Sequence, residues 1–279
     1  MHRILDAETI APQVRRIVLD APLIARRHQA GQFVILRPEK SSERIPLTIA
    51  ASDPTGGTIT LYVQAVGHTT AVLNGLQAGE SIADLVGPLG TPSEISSYGT
   101  VVVVGGGLGT AIIYPTARAL AGAGNRVIAV LGGRSRRFVL LEEELRAVCA
   151  EVHVCTDDGS YGRRGLVTDV VHDLVVEGAP PDRVFVAGPV RMMAAVAAVT
   201  RTRQVPTIAS LNPIMVDGTG MCGGCRVDVG GVTRFACVDG PEFDAHTVDF
   251  DLLDRRNRAY GAFETAARQA DACRTVDRS

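Results

Sequence analysis

The chain has 279 residues, 46% of them hydrophobic and 21% charged, and a formal net charge of −2 at pH 7. That length holds one large or two ordinary domains with a buried core, and the composition excludes wholesale disorder. Balanced charge lacks the basic excess that nucleic acid or an anionic membrane calls for, and six cysteines are too few for a disulfide scaffold.

Residues 1–30 alternate polar and apolar without a long apolar run, so no secretory leader is expected. The runs Val14–Leu19, Phe33–Arg37, Pro46–Ala50 and Thr58–Val66 are β-rich and separated by Gly, Pro, Ser and Asp. That rhythm predicts a small antiparallel barrel or sandwich. One helix is expected near Thr69–Leu76, then a short strand at Ser81–Val86 and a turn over 87–90. From about Tyr98 the pattern changes to apolar strands alternating with amphipathic stretches. Strands are predicted at Val101–Val104, Val127–Leu131, Val152–Cys155, Val184–Ala187 and Thr207–Ser210. Helices are predicted near Ile113–Ala121, Leu140–Ala150, Val167–Val176 and Met192–Thr202. Apolar strands alternating with helices imply a parallel sheet covered on both faces. The expected organisation is a barrel over 1–97, an α/β domain over 98–211, a Gly-, Asp- and Cys-rich segment over 212–250, and a charged tail over 251–279 that begins as a helix. The most apolar stretch, Thr100–Pro115, contains four glycines and is too short for a membrane span. A cytoplasmic protein with reduced cysteines is the expectation.

The sharpest motif is Asp217-Gly-Thr-Gly-Met-Cys222-Gly-Gly-Cys225, followed by Cys237. The plant-type [2Fe–2S] pattern is C-x4-C-x2-C with a distant fourth cysteine. This chain fits it with Asp217 in the first position, since a hard carboxylate oxygen suits ferric iron. The alternative is a zinc knuckle using the three cysteines with Asp217 or His246, although a second CxxC pair is missing. Cys149, Cys155 and Cys273 have no motif around them and read as ordinary thiols.

The segment Gly105-Gly106-Gly107-Leu108-Gly109-Thr110 joins a strand to a helix, where backbone N–H groups and the helix dipole can hold a pyrophosphate. Its spacing is not G-x-G-x-x-G, and no acidic residue closes the next strand, so tight strand–helix packing is the competing explanation. That next strand runs into Arg134, Arg136 and Arg137. Thr156-Asp157-Asp158 and Gly188-Pro189 also fall at carboxyl ends of predicted strands, where ligands gather in α/β sheets; turn and cap roles compete for the aspartates. In the barrel, Arg44-Ile45-Pro46-Leu47-Thr48 opens a strand, and Gly67-His68-Thr69-Thr70 opens the helix. Arginine and helix-start amides suit a phosphate, against a surface arginine and a capped helix.

Taken in this order, the motifs resemble the ferredoxin reductase superfamily, a flavin barrel followed by a pyridine-nucleotide domain. The segments RIPLTIA, CTDDGSYGRRGLVTD, SLNPIMVDGTGMCGGCRV and FACVDGPEFDAHTVDFDLL further resemble the small subunits of NADH-dependent reduced ferredoxin:NADP+ oxidoreductases and of sulfide dehydrogenases, over about residues 1–260. The resemblance implies FAD in the barrel, NAD(H) or NADP(H) at the glycine loop, and a [2Fe–2S] cluster on Asp217, Cys222, Cys225 and Cys237. Candidate cofactor contacts are then Arg44, Pro46, Leu47, Thr48, Gly67, Thr69 and Thr70 for the flavin. For the nucleotide they are Gly105, Gly106, Gly107, Leu108, Gly109, Thr110, Arg134, Asp158, Gly188 and Pro189. Ile45 stands where the superfamily strand carries its arginine, which favours Leu47 and Thr48 over Arg44 as flavin neighbours. Ile112 replaces a usual proline after the glycine loop. Arg136 and Arg137 fit either a 2′-phosphate or a solvated loop.

The implied activity is that of an NAD(P)H-linked electron-transfer subunit, which needs no acid–base dyad because hydride transfer needs none. A larger partner with FAD and [4Fe–4S] clusters is implied, with ferredoxin reached through that partner, and the tail is a candidate docking element. The electron-transfer subunits of dihydroorotate dehydrogenase are a related alternative, although they carry cysteine where this chain has Asp217. A zinc-stabilised nucleotide-binding regulator is the alternative of another class.

Overall fold

The computed structural model describes residues 2–261; Cys273 and the rest of the predicted tail lie outside the described residues. The first part of the chain comprises β1 (His2–Ala11), β2 (Val14–Asp20), the one-turn α1 (Pro22–Ala25), β3 (Phe33–Arg37), β4 (Ile45–Thr48), β5 (Ala51–Asp53), β6 (Thr58–Gln64), α2 (His68–Gly75), β7 (Ser81–Ile82) and β8 (Asp84–Leu89). They form two antiparallel sheets, β5-β6-β2-β1-β7 and β4-β3-β8. Alternate residues of both sheets turn inward, as the two-residue period of a strand requires. Ile17, Leu19, Val34, Leu36, Ile59 and Leu61 thereby share one buried core, closed by Leu73 of α2. The result is barrel-like.

The second part comprises β9 (Thr100–Gly106), α3 (Gly109–Gly122), β10 (Arg126–Gly133), α4 (Glu142–Arg146), β11 (Glu151–Thr156), β12 (Arg163–Arg164), α5 (Val167–His172) with a π-helical extension Asp173–Glu177, β13 (Arg183–Ala187), α6 (Val190–Arg201) and β14 (Thr207–Ser210). These strands form a parallel sheet in the order β12-β11-β10-β9-β13-β14. Val101 and Val103 face α3 while Val102 and Val104 face α5 and α6, so the continuous apolar run of β9 fills both faces.

The cysteine-rich segment supplies the hairpin β15 (Arg226–Val229) and β16 (Val232–Phe235), then β17 (Glu242–Asp244) and α7 (Phe250–Asn257). β17 pairs antiparallel with β14 and completes the seven-stranded sheet. Cys225, Cys237 and Leu253 accordingly belong to the same core as Val184, Val186 and the barrel residues Phe33 and Ile35.

Several elements differ from the sequence reading. β1 is a strand the sequence does not single out, because half of its residues are polar and most are at least partly exposed; pairing with β2 and β7 holds it. The expected turn over 87–90 is strand through Leu89. α3 starts four residues early, directly on the glycine loop. α4 is only five residues long, because Leu141 before it is left-handed (φ 55°) and Leu140 and Leu141 tuck under the glycine-loop helix. α7 packs on α6 and β15 of its own chain, so its described part is docked intramolecularly.

Candidate metal centre and cofactor site

An apolar slot lies where the three parts of the chain meet. Its walls are Phe33, Pro46, Leu47, Thr48 and Tyr62 from the barrel, Leu108, Ala111 and Ile112 from the glycine-loop helix, Ser210 from the end of β14, and Leu211, Asn212, Met215 and Pro241 from the segment beyond it. Its cavity volume is about 120 Å³, and it opens to solvent on one side. A flat heterocycle buries best in such a concave, mostly apolar site with a few polar edges, here Thr48, Ser210 and Asn212. Pro46, Leu47 and Thr48 are thus brought together, whereas Arg44 is not. Arg44 is exposed at the start of β4, in a groove shared with Asp217 and Thr219.

The α2 start fits a phosphate through its backbone. Gly67 is extended, and a Cβ there would meet only open space. The first-turn amides of a helix have no intrahelical partners. The threonine hydroxyls are engaged elsewhere: Thr70 Oγ1 accepts from Gly67 N (2.9 Å), and Thr69 Oγ1 accepts from Glu43 N (3.3 Å). The second bond ties the beginning of β4 to this helix start.

The glycine loop divides by role. A Cβ on Gly105 would lie 2.7 Å from Thr110 Cα, one on Gly109 would collide with the Ala187 carbonyl, and one on Gly106 would strike Met192. Those three glycines permit close packing of β9, α3, β13 and α6, the competing explanation for the loop. Gly107 differs: it is left-handed (φ 55°), and nothing lies within 4 Å of its Cβ direction. Thr110 is buried, and Leu108 is the residue before α3. Gly188 and Pro189 meet the loop from the start of α6, next to Gly106 and Met192. Farther along the same sheet edge, Asp158 N donates to Arg134 O (3.3 Å), which joins those two candidates. Ser160 bonds hold the exposed Asp158 carboxyl below its usual range. The Arg136 guanidinium stacks on Tyr161, 5.0 Å from the ring centre.

The four candidate ligands come together as two pairs. Cys225 Sγ and Cys237 Sγ are 3.2 Å apart, both residues 1% exposed, and well beyond disulfide length. Asp217 Oδ1 lies 3.3 Å from Cys222 Sγ on the exposed side of the loop. Among the described residues, no three of these four atoms lie within 4.8 Å of one another, the spacing that a single ion would need. Two pairs suit a two-iron cluster, with each pair on one iron, and do not suit one tetrahedral zinc. His246, the other zinc candidate, directs Nε2 to Thr200 Oγ1 at 3.0 Å.

The donor chemistry agrees. Desolvation pushes the Asp217 carboxyl up, but hydrogen bonds from Thr219 and Cys222 outweigh it and hold the group down at about 2, ionised as a ligand must be. Burial, then the bond with Cys225, pushes the Cys237 thiol up, so a metal binding there displaces its proton. Gly218 seats the loop on the barrel: a Cβ there would lie 2.6 Å from Leu89 and 2.8 Å from Ile35. Tyr62, Asn212, Met215 and Pro241 escaped sequence reasoning, because their role comes from a slot assembled by distant segments.

Comparison with known proteins agrees with this architecture. Residues 212–249 match the family model of the iron–sulfur cluster binding domain of dihydroorotate dehydrogenase B. The chain is 44% identical over 260 residues to a dihydroorotate dehydrogenase B (NAD(+)) electron transfer subunit homolog of Thermotoga maritima, covering 93% of this chain and 92% of that one. It is 35% identical over 248 residues to the electron transfer subunit of Bacillus caldolyticus, covering 86% and 94%. A solved structure of NADH-dependent reduced ferredoxin-NADP oxidoreductase, studied for flavin-based electron bifurcation, superposes with a TM-score of 0.92 at 42% identity and 98% coverage of both chains. The ferredoxin reductase of carbazole 1,9a-dioxygenase shares the fold, with a TM-score of 0.62 at 20% identity over 74% of this chain and 65% of that one. FAD, a [2Fe–2S] cluster and NAD(P)H are the cofactors of this combination. The chain belongs to the family of electron-transfer subunits that includes those of dihydroorotate dehydrogenase B, built on the ferredoxin reductase fold and carrying a C-terminal iron–sulfur segment.

Proposed function

We propose that this subunit moves electrons between a nicotinamide nucleotide and a larger partner, through FAD in the three-way slot and a [2Fe–2S] cluster on Asp217, Cys222, Cys225 and Cys237. The observation that carries this reading is the pairing of Asp217 with Cys222 and of Cys225 with Cys237, on a loop seated against β3 and β8 of the flavin-side sheet. Flavin converts the two-electron chemistry of a nicotinamide into the single-electron chemistry of a cluster. Pro46, Leu47 and Thr48 hold one face of the flavin ring. Leu108 and Ala111 leave room for the nicotinamide, and the amides around Gly107 face its pyrophosphate. The α2 first turn holds the flavin's own phosphates. Arg134, Asp158 and Tyr161 line the sheet edge that receives the adenosine end.

A partner surface is supported by exposed apolar residues around Cys222. Met221 is 89% exposed, and the exposed Val238 lies against Gly220 and the exposed Ile214 and Val216 against Gly224 of the same loop. Clustered apolar exposure of this kind marks a binding site. We infer a larger oxidoreductase subunit there, carrying FAD and [4Fe–4S] clusters. A dihydroorotate dehydrogenase partner is the second reading, favoured by the sequence relatives.

Purified protein should show flavin absorption together with iron–sulfur shoulders, and about two irons per chain with labile sulfide. A colourless, zinc-loaded protein would refute the reading. Asp217→Cys should keep the cluster while changing its visible and paramagnetic resonance spectra; unchanged spectra would exclude Asp217 as a ligand. Identifying the larger subunit that co-purifies with this chain separates the two partner readings.

A further inference from the structure

Only Gly223 and Gly224 separate Cys222 from Cys225, and each of them meets a guanidinium. Gly223 is left-handed (φ 68°), and a Cβ on it would lie 2.7 Å from Arg226 Nη1. Arg256 Nη2 donates to the Gly224 carbonyl at 3.3 Å. The Gly224 N–H in turn donates to Cys222 Sγ at 3.4 Å, so the peptides touched by arginine are those that wrap the ligands.

The two arginines arrive by different routes. Arg226 follows Cys225 directly and is exposed at the start of β15. Arg256 reaches across from α7, 39 residues beyond Asp217, and is half-buried. α7 is fixed for that purpose. Leu253 is buried in the core that encloses Cys225 and Cys237, Asn257 Nδ2 donates to Asn212 O (3.1 Å), and Asp249 N donates to Asp228 O (3.0 Å). Among the described residues, neither Arg226 nor Arg256 has a carboxylate within ion-pair distance. Asp254, the acid nearest Arg256 on α7, is taken by Arg191 and Arg258.

We propose that Arg256 and Arg226 are positioning residues that raise the reduction potential of the cluster, by holding uncompensated positive charge over the two glycines of its ligand loop. This rests on the reading that Asp217, Cys222, Cys225 and Cys237 carry a [2Fe–2S] cluster. Three thiolates and a carboxylate already make the site anionic, and reduction adds one further electron with no bond made or broken. A nearby cation therefore stabilises the reduced form more than the oxidised form. The half-buried Arg256 is screened less by salt than the exposed Arg226. α7, which follows the ligand segment, thus acts on the electron affinity of the site without supplying a ligand.

The test is a reductive titration of the full chain, followed by paramagnetic resonance, in the wild type and in Arg256→Gln, Arg256→Lys and Arg226→Gln. Arg256→Gln is expected to lower the cluster midpoint by about 59 mV, a tenfold change for a one-electron couple, and Arg256→Lys to keep the wild-type value. Arg226→Gln should shift it in the same direction by less, with the effect fading between about 0.1 M and 1 M salt. Unmoved midpoints in both glutamine variants would overturn the proposal, and so would an Arg256→Lys shift as large as that of Arg256→Gln. Should Arg256→Gln fail to load the cluster, Arg226→Gln decides by the same criterion. A wild-type chain without a [2Fe–2S] signal would instead overturn the cluster reading itself.

Discussion

The Glu242 carboxyl is turned inward onto Ser93 Oγ (2.8 Å), which also meets Thr116 Oγ1 (3.0 Å), so strand β17, the linker before β9, and α3 share one polar contact. Desolvation pushes this acid up to about 7, against the Ser93 bond that pulls it down. An acid raised on folding holds its proton longer in the native state, so stability falls as pH rises from about 4.5 to about 7 and stays reduced above. His28 has the opposite sign. Burial, reinforced by Arg118, pushes its imidazole down to about 4, so stability is lost as pH falls from about 6.5 toward 4. Glu242→Gln should therefore stabilise the chain above pH 7 by less than about 3 kcal/mol, Glu242 being partly exposed as a residue. It should also leave a curve that only rises between about pH 4 and 6.5, under the control of His28. Urea midpoints across that range check both statements. None of this was legible in the sequence, where Glu242 is one acid in a polar stretch and its environment comes from Ser93 and Thr116.

At the scale of elements, the β9–loop–α3 unit separates packing glycines from the open one. Gly109→Ala would drive a methyl group into the Ala187 carbonyl and should cost about 1–3 kcal/mol of stability by overpacking. Gly107→Ala meets no atom but places an alanine in the left-handed region, a cost of about 1–2 kcal/mol. Its larger expected effect is on nucleotide affinity, read by titrating NADH and NADPH. Denaturation curves and binding constants should rank the two variants oppositely. The parallel strands were legible because Val101–Val104 and Val184–Ala187 are buried on both faces and so read as unbroken apolar runs. β1 was not, because its stability comes from pairing with β2 and not from its own side chains. The cluster ligands were legible as spacing alone. Their division into two pairs depends on the hairpin β15–β16, which carries Cys237 back beside Cys225.

Across the whole molecule, one continuous core runs from Phe33 and Ile35 through Val184 and Val186 to Cys225, Cys237 and Leu253. The barrel, the sheet and the cluster segment are therefore expected to unfold together. The exposed Met221 on the ligand loop departs from this self-containment. Met221→Glu should weaken partner binding at least tenfold, about 1.4 kcal/mol, while flavin and iron content stay unchanged; calorimetry on the purified subunits measures both. The described residues include no helix long and apolar enough to cross a membrane. The antiparallel strand β17 begins only five residues after Cys237 and lies along β14. Iron on Cys237 adds a tie at that turn to the hydrogen bonds that Thr91 donates to the Val238 and Gly240 carbonyls, so a chain that has not received iron holds it less firmly and the sheet edge it covers opens more readily. Bare strand edges invite aggregation and give proteases a foothold. Iron supply would then govern how long newly made subunits survive, so that metal-starved cells clear the empty protein instead of accumulating it.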